Sequence, residues 1–485
     1  MDEFANRALD TAMARGATYA DVRVVDVRTR ALSTKNGQVG TLAESESLGL
    51  GVRVIAEGAW GFASTDRMTR EGAEQSAAAA VAIARASALA KRRDVVLAPE
   101  EKIIDKWQTP FAQDPFLIPV DRQIDLLLAV DAALRHQKGI TLAETSMNFT
   151  RYEQLFRSSL GSSIRQFKIN SGAGFAATSF SGKEIQKRSY PNSFGGQYAS
   201  KGYELVDELR LLENAPRIAE EAVTLHKADA CPEGKRTIIL GSSQLGLQIH
   251  ESIGHPIELD RVLGTEANFA GMSFLTLDQL NRLQYASEIV NVVADARLEH
   301  GPGLGTFGYD DEGVPAQCID IIKDGRFTGY LSSRETASAI NAARSGGTMR
   351  AEGWNRIPLI CMTNVSLLPG KGSLEELIAA TDDAIFMETN RSWSIDDRRY
   401  HFQFGTEIAW EIKNGKKTRM LKNPSYSGIT TEFWNSCDSI CGREEWTLWG
   451  TPNCGKGQPM QTMGTGHGAS PARFRNVTVG VAYAG

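Results

Sequence analysis

The sequence predicts an α+β protein, with an N-terminal α/β domain at residues 1–230 and a mainly antiparallel β domain at residues 231–485. In the first half, runs rich in β-branched residues are joined by hairpin turns and alternate with helical patterns. From residue 235 the composition shifts toward glycine, aromatic residues and short strand-like runs. The chain of 485 residues also exceeds the size at which a single hydrophobic core usually stops growing, so more than one domain is expected.

The composition is that of an ordinary globular protein, with 42% hydrophobic residues, 23% charged residues and a formal net charge of −5. Because lysine and arginine are scattered, we expect no nucleic-acid partner. No apolar run is long enough to span a bilayer, so no membrane association is expected. The N-terminus lacks the pattern of a secretory signal, and six irregularly placed cysteines do not suggest a disulfide framework. We therefore expect a cytoplasmic protein.

Two hairpins are predicted near the N-terminus. Asn36-Gly37 follows a β-branched run and offers a tight turn, and Glu57-Gly58 divides a second run in the same way. Helices are predicted, from apolar residues at helical spacing, at residues 3–15, 69–92, 120–136 and 203–227. Arg92 and Arg93 suit the C-terminal end of the second helix, where positive charge is favourable.

The middle of the N-terminal domain is less regular. Pro99, Pro110, Pro115 and Pro119 indicate a linker or a connection wrapped around the domain. Residues 140–190 alternate like a meander, with turns predicted at Gly161 and Gly172. The order helix, strands, helix recurs in residues 1–95 and 120–230, which suggests two similar sub-blocks. No residue-by-residue match supports a repeat, so ordinary α+β alternation is the simpler interpretation.

The C-terminal domain is predicted to be built from short strands that turn at Asp-Gly and Asn-Gly pairs. One helix begins at Ser373 and has a glutamate three residues later, which is the pattern of a capping box. The densest chemistry of the chain precedes these strands, in a helix that carries His250, Glu251 and His255 in a His-Glu-x-x-x-His pattern.

The His-Glu-x-x-x-His pattern alone predicts either a metal site or a pair of solvated or core histidines. Leu245, Ile249 and Ile253 form an apolar stripe, which leaves the polar trio on the presented face. The two histidines are five residues apart, about 140° around an ideal helix, so such a helix would not direct both at one ion. Pro256 disfavours helical geometry at the residue before it, and Gly254 adds backbone freedom. We therefore expect the helix to break or to widen into a π turn here.

A hydrolytic zinc centre needs three protein ligands and a carboxylate that takes a proton from water. His250 and His255 would supply two ligands and Glu251 the base, so a third ligand is missing. Gly246 and Gly254 flank His250 and leave room for the segment that carries it. The candidates for the third ligand are Cys231, Cys318, Cys361, Cys437, Cys441, Cys454, His300, His401 and His467.

The cysteines differ in their sequence surroundings. Cys318 and Cys361 lie in apolar runs that predict core positions, and Cys437 and Cys441 are interpreted as structural. Cys454 is predicted to lie in a loop beside Lys456, whose charge would favour the thiolate. Spacing alone does not select it.

Several longer segments, in the same order along nearly the whole chain, resemble the TldD branch of the TldD/PmbA family. They read NGQVGTLAESESLGLGVRVIAEGAWGFAST, HESIGHPIELDRVLG, MTNVSLLPG, IDDRRYHFQFGTEIAWEI and TPNCGKGQPMQTMGTGHGASPARFRNVTVG. The resemblance implies a two-domain proteolytic subunit in which His250, His255 and Cys454 hold one zinc ion per subunit and Glu251 is the general base.

The resemblance also implies a homodimer, or a heterodimer with a PmbA (TldE)-like subunit that lacks the metal motif. The implied substrates are unfolded proteins and precursor peptides. Asp260, His401 and His467 are further candidates, either for contacting the substrate or for orienting a metal ligand. The competing hypothesis is a partner subunit that binds metal and peptide without catalysis. The intact Glu251 argues against that alternative.

Overall fold

The computed structural model describes residues 1–182, 184–269 and 271–481. Its first part contains one eight-stranded sheet with helices packed against it. The helices are α1 (Asp2–Ala14), α2 (Arg70–Ala88), α3 (Val120–His136), α4 (Glu204–Glu208) and α5 (Leu211–Thr224). The strands are β1 (Tyr19–Lys35), β2 (Gln38–Ala56), β3 (Ala59–Thr65), β4 (Ile104–Gln108), β5 (Ile140–Ser158), β6 (Ser163–Ser181), β7 (Glu184–Tyr190) and β8 (Gln197–Ala199).

The sheet runs in the order β3-β2-β1-β5-β6-β4, with β7 and β8 also paired to β6. Both predicted hairpins are present, because Asn36-Gly37 and Glu57-Gly58 adopt the positive φ angles that such turns require. Small side chains let α1 and α2 lie close to β1 and β2, in a core rich in alanine and valine. A second core lies between α3, α5 and strands β5 and β6.

Three details differ from the sequence prediction. Helix α2 ends at Ala88, so Arg92 and Arg93 lie beyond it and Arg85 occupies its last turn. Gly172 lies inside β6 and not in a turn, because a Cβ there would come within 2.0 Å of the Tyr198 ring of β8. The proline-rich connection is not only a linker, since it contains β4, which pairs in parallel with β6.

The second part is built around another eight-stranded sheet, with order β17-β10-β24-β20-β18-β19-β9 and β21 paired to β24. Its strands are β9 (Asp229–Ala230), β10 (Gly234–Leu240), β11 (Val292–Asp295), β12 (Cys318–Lys323), β13 (Arg326–Phe327), β14 (Met349–Arg350), β15 (Leu359–Ile360), β16 (Val365–Leu367), β17 (Asp383–Ile395), β18 (His401–Lys413), β19 (Lys416–Lys422), β20 (Pro424–Ile429), β21 (Cys437–Ile440), β22 (Thr447–Lys456), β23 (Gln461–Ala469) and β24 (Ala472–Val481). Its helices are α6 (Ser242–Ile249), α7 (Leu259–Val262), α8 (Leu374–Ala379) and α9 (Thr430–Asn435).

Smaller sheets complete this part, one with order β13-β12-β11-β16 and two ribbons, β14–β15 and β22–β23. The capping box predicted at Ser373 is present at the start of α8. The predominance of antiparallel pairing confirms the predicted α+β class. Among the described residues, no helix combines the length and hydropathy needed to cross a lipid bilayer.

Buried ion pairs join the two parts. Arg53 of β2 contacts Asp21 of β1 at 2.7 Å and Glu312 of the second part at 3.0 Å. Arg188 of β7 contacts Glu407 of β18 at 3.0 Å. Since all these side chains are buried, the first sheet and the second part share a desolvated boundary.

Candidate metal centre

The candidate site begins where β10 runs into α6. Gly241 leads from the buried end of β10 into the helix, and Leu245, Ile249 and Ile253 pack into the large core of the second part. A π turn covering His250–Gly254 follows, and the N–H of His255 donates to the carbonyl of His250 at 3.1 Å. The helix thus widens where the sequence predicts, and this confirms the geometric prediction.

The π turn brings both histidines together with a distant cysteine. The ligand atoms of His250, His255 and Cys454 all lie within 4.8 Å of one another. The Cys454 Sγ is 3.9 Å from the His255 Nε2, and the two imidazole rings are nearly perpendicular. The sequence predicts only that this polar trio lies on the face away from the apolar stripe, and in the structure His250, Glu251 and His255 are all buried.

The element that covers helix α6 is the β22–β23 ribbon. It crosses α6 at Gly246, where a Cβ would meet Trp449 and His467 at 3.6 Å. Gly254 has a different neighbour, because a Cβ there would come within 2.0 Å of the Met362 Sδ. Of the two predicted docking positions, Gly246 therefore faces the ribbon that carries Cys454.

Cys454 lies in β22, which corrects the predicted loop. Pro452 sits at an irregularity of the β22–β23 pairing, between Thr451 and Cys454, where a missing N–H is tolerated. The Lys456 ammonium donates to Asp260 at 2.7 Å. Cys454 instead shares a hydrogen bond with the thiol of Cys361, and this bond together with burial raises the pKa of Cys454. Cys361 is therefore a core residue, as expected, that also contacts the site.

A carboxylate orients His255. Glu258 accepts a hydrogen bond from the His255 Nδ1 at 3.1 Å, which leaves the Nε2 lone pair free. Buried Arg261 and Lys456 lie 3.3 and 3.5 Å from the same Glu258 oxygen and balance its charge. The sequence suggested Asp260 for this role, but Asp260 accepts from Lys456 and from the backbone of Arg261.

A second histidine orients His250. His467 lies in β23, where its Nδ1 is 3.0 Å from the carbonyl oxygen of Val365 and its Nε2 is 2.7 Å from the His250 Nδ1. Because a carbonyl can only accept, the His467 Nδ1 carries hydrogen and its Nε2 accepts. The His250 Nδ1 then donates, and the His250 Nε2 keeps its lone pair. Burial lowers the pKa of His467 to about 4, so the ring is neutral near pH 7.

Glu251 is held by an arginine that the sequence reasoning missed. The Arg399 Nη1 donates to the Glu251 Oε2 at 3.1 Å from the turn between β17 and β18. Burial raises the pKa of Glu251, while Arg399 and Arg261 partly oppose the shift. Arg399 adopts a φ of 64°, which is uncommon for a residue with a Cβ.

His401 lies apart from this group. It is exposed at the first position of β18, on the same side of the strand as Gln403, and its ring packs edge-on against Tyr400. The sequence suggests His401 as a candidate for contacting the substrate, a role that remains a prediction.

The donor set fits a zinc ion. Zinc accepts imidazole nitrogen and thiolate sulfur, and tetrahedral coordination separates such atoms by about 3.5 Å, close to the 3.9 Å found between the His255 Nε2 and the Cys454 Sγ. Burial lowers the pKa of both His250 and His255, which keeps the rings neutral as a metal requires. With three protein donors, a zinc ion would keep one coordination position open.

Comparison with known proteins gives matches along most of the chain. The model of the PmbA/TldA metallopeptidase C-terminal domain matches residues 233–481, and that of domain 1 matches residues 20–84. A metalloprotease of Methanocaldococcus jannaschii is 28% identical over 450 residues, 93% of this chain and 95% of the relative. A protein of Saccharolobus solfataricus named zinc metalloprotease TldD homolog is 25% identical over 207 residues, 43% and 44% of the two chains.

The fold also occurs in a solved structure. TldE from Thermococcus kodakarensis superposes with a TM-score of 0.74 at 15% identity, and the match covers 98% of this chain and all of the other. At that identity the match shows the fold alone.

Proposed function

Because this chain belongs to the PmbA/TldD family of metallopeptidases, we propose that it is a zinc-dependent peptidase that hydrolyses unfolded or precursor peptides. The observation that carries the proposal is the π turn, which gathers His250 and His255 with Cys454 and places Glu251 in the same buried turn. These three residues would hold one zinc ion per subunit. When bound, such an ion polarises a peptide carbonyl and increases the acidity of water.

Glu251 is proposed as the general base. Its carboxylate would take a proton from the attacking water and deliver it to the leaving amine. Burial favours this role, because it raises the pKa of Glu251 toward the range in which a carboxyl group both accepts and returns a proton. Arg399 would hold the Glu251 carboxylate in place through its Oε2.

Glu258 and His467 are proposed to position the two histidines without contacting the substrate. Each accepts a hydrogen bond from an Nδ1 and thereby directs an Nε2 toward the shared ion. Such partners fix both the tautomer and the ring orientation. Asp260 would act one step further away, by holding Lys456 beside Glu258.

The working unit is proposed to be a homodimer or a heterodimer with a PmbA/TldE-like subunit, in the cytoplasm. All six cysteines are free thiols, which suits a reducing compartment. The mass of the complex purified from the native host, and the identity of any second chain in it, would test the assembly.

The catalytic proposal is tested with Glu251→Gln. We expect the variant to retain its zinc, because Glu251 is not among the proposed ligands, and to lose peptide cleavage by about 10²- to 10⁴-fold. Metal content is measured by elemental analysis, and cleavage of unstructured peptides by mass spectrometry. Glu432→Gln, at an exposed position in α9, is the matched control.

Two results would contradict the proposal. If Glu251→Gln retains zinc and cleaves as fast as wild type, Glu251 is not the base. If wild type cleaves no peptide, even together with its co-purified partner, the chain is a non-catalytic metal-binding and peptide-binding subunit.

A further inference from the structure

A polar cleft lies between the first sheet and the β22–β23 ribbon. It encloses about 430 Å³, and two cations, Lys168 and Arg350, line it together with Asn148, Asn170 and Tyr198. Lys168 projects from β6 toward its cross-strand partner Tyr152, with its Nζ 4.4 Å from the centre of that ring. The cleft wall is therefore built from one face of the first sheet.

Neither cation has a carboxylate partner. Arg350 donates to the carbonyls of Met362 at 2.7 Å and Leu304 at 3.3 Å, and no ion pair with Lys168 or Arg350 occurs within the described residues. One acidic residue, Glu352, also lines the cleft, but its carboxylate forms no ion pair with either cation in the described part of the chain. Asp311 lies 3.8 Å from Arg23 and accepts a backbone hydrogen bond. The charged residues that line the cleft are thus two cations and one carboxylate, which leaves an excess of one positive charge.

The pKa of Lys168 shows the effect of its burial and of the neighbouring positive charge. Burial, together with the Arg350 guanidinium, lowers the pKa of Lys168 to about 8. An anion in the cleft would relieve the repulsion between the two cations and replace the water lost by the ammonium.

The cleft also borders the candidate metal centre. Met463 lines it and is the cross-strand partner of Cys454. Arg350 holds the backbone of Met362, whose side chain lies against Gly254 in the π turn. One layer of residues therefore separates the two cations from the proposed zinc ligands.

We propose that Lys168 and Arg350 bind a carboxylate of the peptide substrate, either its C-terminal carboxylate or an acidic side chain. The inference rests on the proposed peptidase function, since it assigns the cleft to the same substrate. An arginine and a lysine are suited to such a group, because both donate charge-assisted hydrogen bonds to carboxylate oxygen. An extended peptide that crosses the β22–β23 ribbon would reach the cleft and the metal centre together.

The test measures binding without cleavage, in full-length Glu251→Gln protein. The probes are three fluorescent versions of a short peptide of glycine, serine and threonine: one with a free C-terminus, one amidated, and one amidated with a central glutamate. We expect either or both of the carboxylate-bearing probes to bind about tenfold more tightly than the neutral amide. A preference shown by only one of them identifies the source of the carboxylate.

Variants test whether Lys168 causes the preference for the carboxylate-bearing probes over the neutral amide. Lys168→Gln should abolish it, and Lys168→Arg, which keeps the charge, should retain most of it. Lys106→Gln, at an exposed position in β4 of the same sheet, should leave it unchanged. Equal affinity for all three probes, or a preference that survives in Lys168→Gln, would overturn the proposal.

The outcome is independent of catalysis. If wild type, together with its co-purified partner, cleaves none of the probes but Glu251→Gln prefers the carboxylates, the peptidase proposal fails and the anion site stands. If wild type cleaves all three probes while binding shows no preference, only the anion site is refuted.

Discussion

At the scale of single residues, the two proposed histidine ligands differ in what holds them. His255 donates to a carboxylate, Glu258, whereas His250 donates to a neutral imidazole, His467. The ionised Glu258 carboxylate can act only as a hydrogen-bond acceptor. His467 is an acceptor only while its other nitrogen donates to Val365. The orientation of His250 therefore depends on the tautomer of a residue in a different strand.

Two substitutions at His467 distinguish its hydrogen bond to Val365 from its hydrogen bond with His250. His467→Asn places an amide near the position of the Nδ1 and keeps a donor for Val365, but offers His250 no acceptor. His467→Gln places an amide oxygen near the position of the Nε2. We expect zinc affinity, measured by competition with a chromophoric chelator, to fall about 10- to 100-fold in the asparagine variant and less in the glutamine variant. The visible spectrum of the cobalt form should change in the same order.

A zinc affinity of His467→Asn equal to that of wild type would show that His467 does not orient His250. The unfolding curve of each metal-free variant provides the control for folding, because His467 is fully buried.

At the scale of elements, the π turn depends on the absence of a side chain at Gly254. The Met362 Sδ occupies the space of a Cβ at that position, and Met362 is completely buried. A side chain here would push either the turn or the methionine out of place. The same packing keeps His255 directed at the site, since His255 directly follows Gly254.

Gly254→Ala and Gly246→Ala form a matched pair in this segment. We expect Gly254→Ala to destabilise the protein by about 1–3 kcal/mol through overpacking and to weaken zinc binding. At Gly246 the nearest atoms are at ordinary contact distance, 3.6 Å, so alanine should be neutral or stabilising by up to about 1 kcal/mol. Urea denaturation and chelator competition measure the two effects. Equal stability of the two variants would show that Met362 adapts and that the close contact does not constrain the turn.

At the scale of the whole molecule, buried charge joins the first sheet to the second part. Glu407 of β18 accepts from the Arg188 guanidinium and from both the N–H and the hydroxyl of Ser189 in β7. The proposed carboxylate site borders the metal centre at the β22–β23 ribbon and is also lined by the first sheet, so the relation of the two sites depends on how firmly the two parts are joined. Ion pairs at this boundary thus contribute to the shape of the cleft.

Glu407→Ala tests this connection. It leaves the buried Arg188 with Glu221 as its only carboxylate partner among the described residues, and we expect a loss of about 3 kcal/mol in the free energy of unfolding. Asp383→Ala, which removes an exposed partner of Lys413, is the control and should cost less than about 1 kcal/mol. Both are measured by urea denaturation. If the two variants lose equal stability, the Glu407 contacts do not join the two parts.

The sequence by itself determined the local features of this protein. The turns at Asn36-Gly37 and Glu57-Gly58, the cap at Ser373 and the widening of the helix before Pro256 all appear where predicted. Each depends on φ angles or hydrogen bonds within a few consecutive residues, and these constraints are present in the residue types themselves. The family resemblance then selected Cys454, which spacing had left among nine candidates.

Only the tertiary structure decided what surrounds these residues. The packing of the chain decides which residues contact the site. It places Glu258, and not Asp260, beside His255, and it brings Arg399 to Glu251, His467 to His250 and Cys361 to Cys454. Residues 217 positions apart in the chain meet at 2.7 Å because the β22–β23 ribbon crosses α6 in one register. A register shift of one residue would turn every side chain of a strand to the other face. Local patterns cannot fix such a register, because it is set by the packing of the whole core.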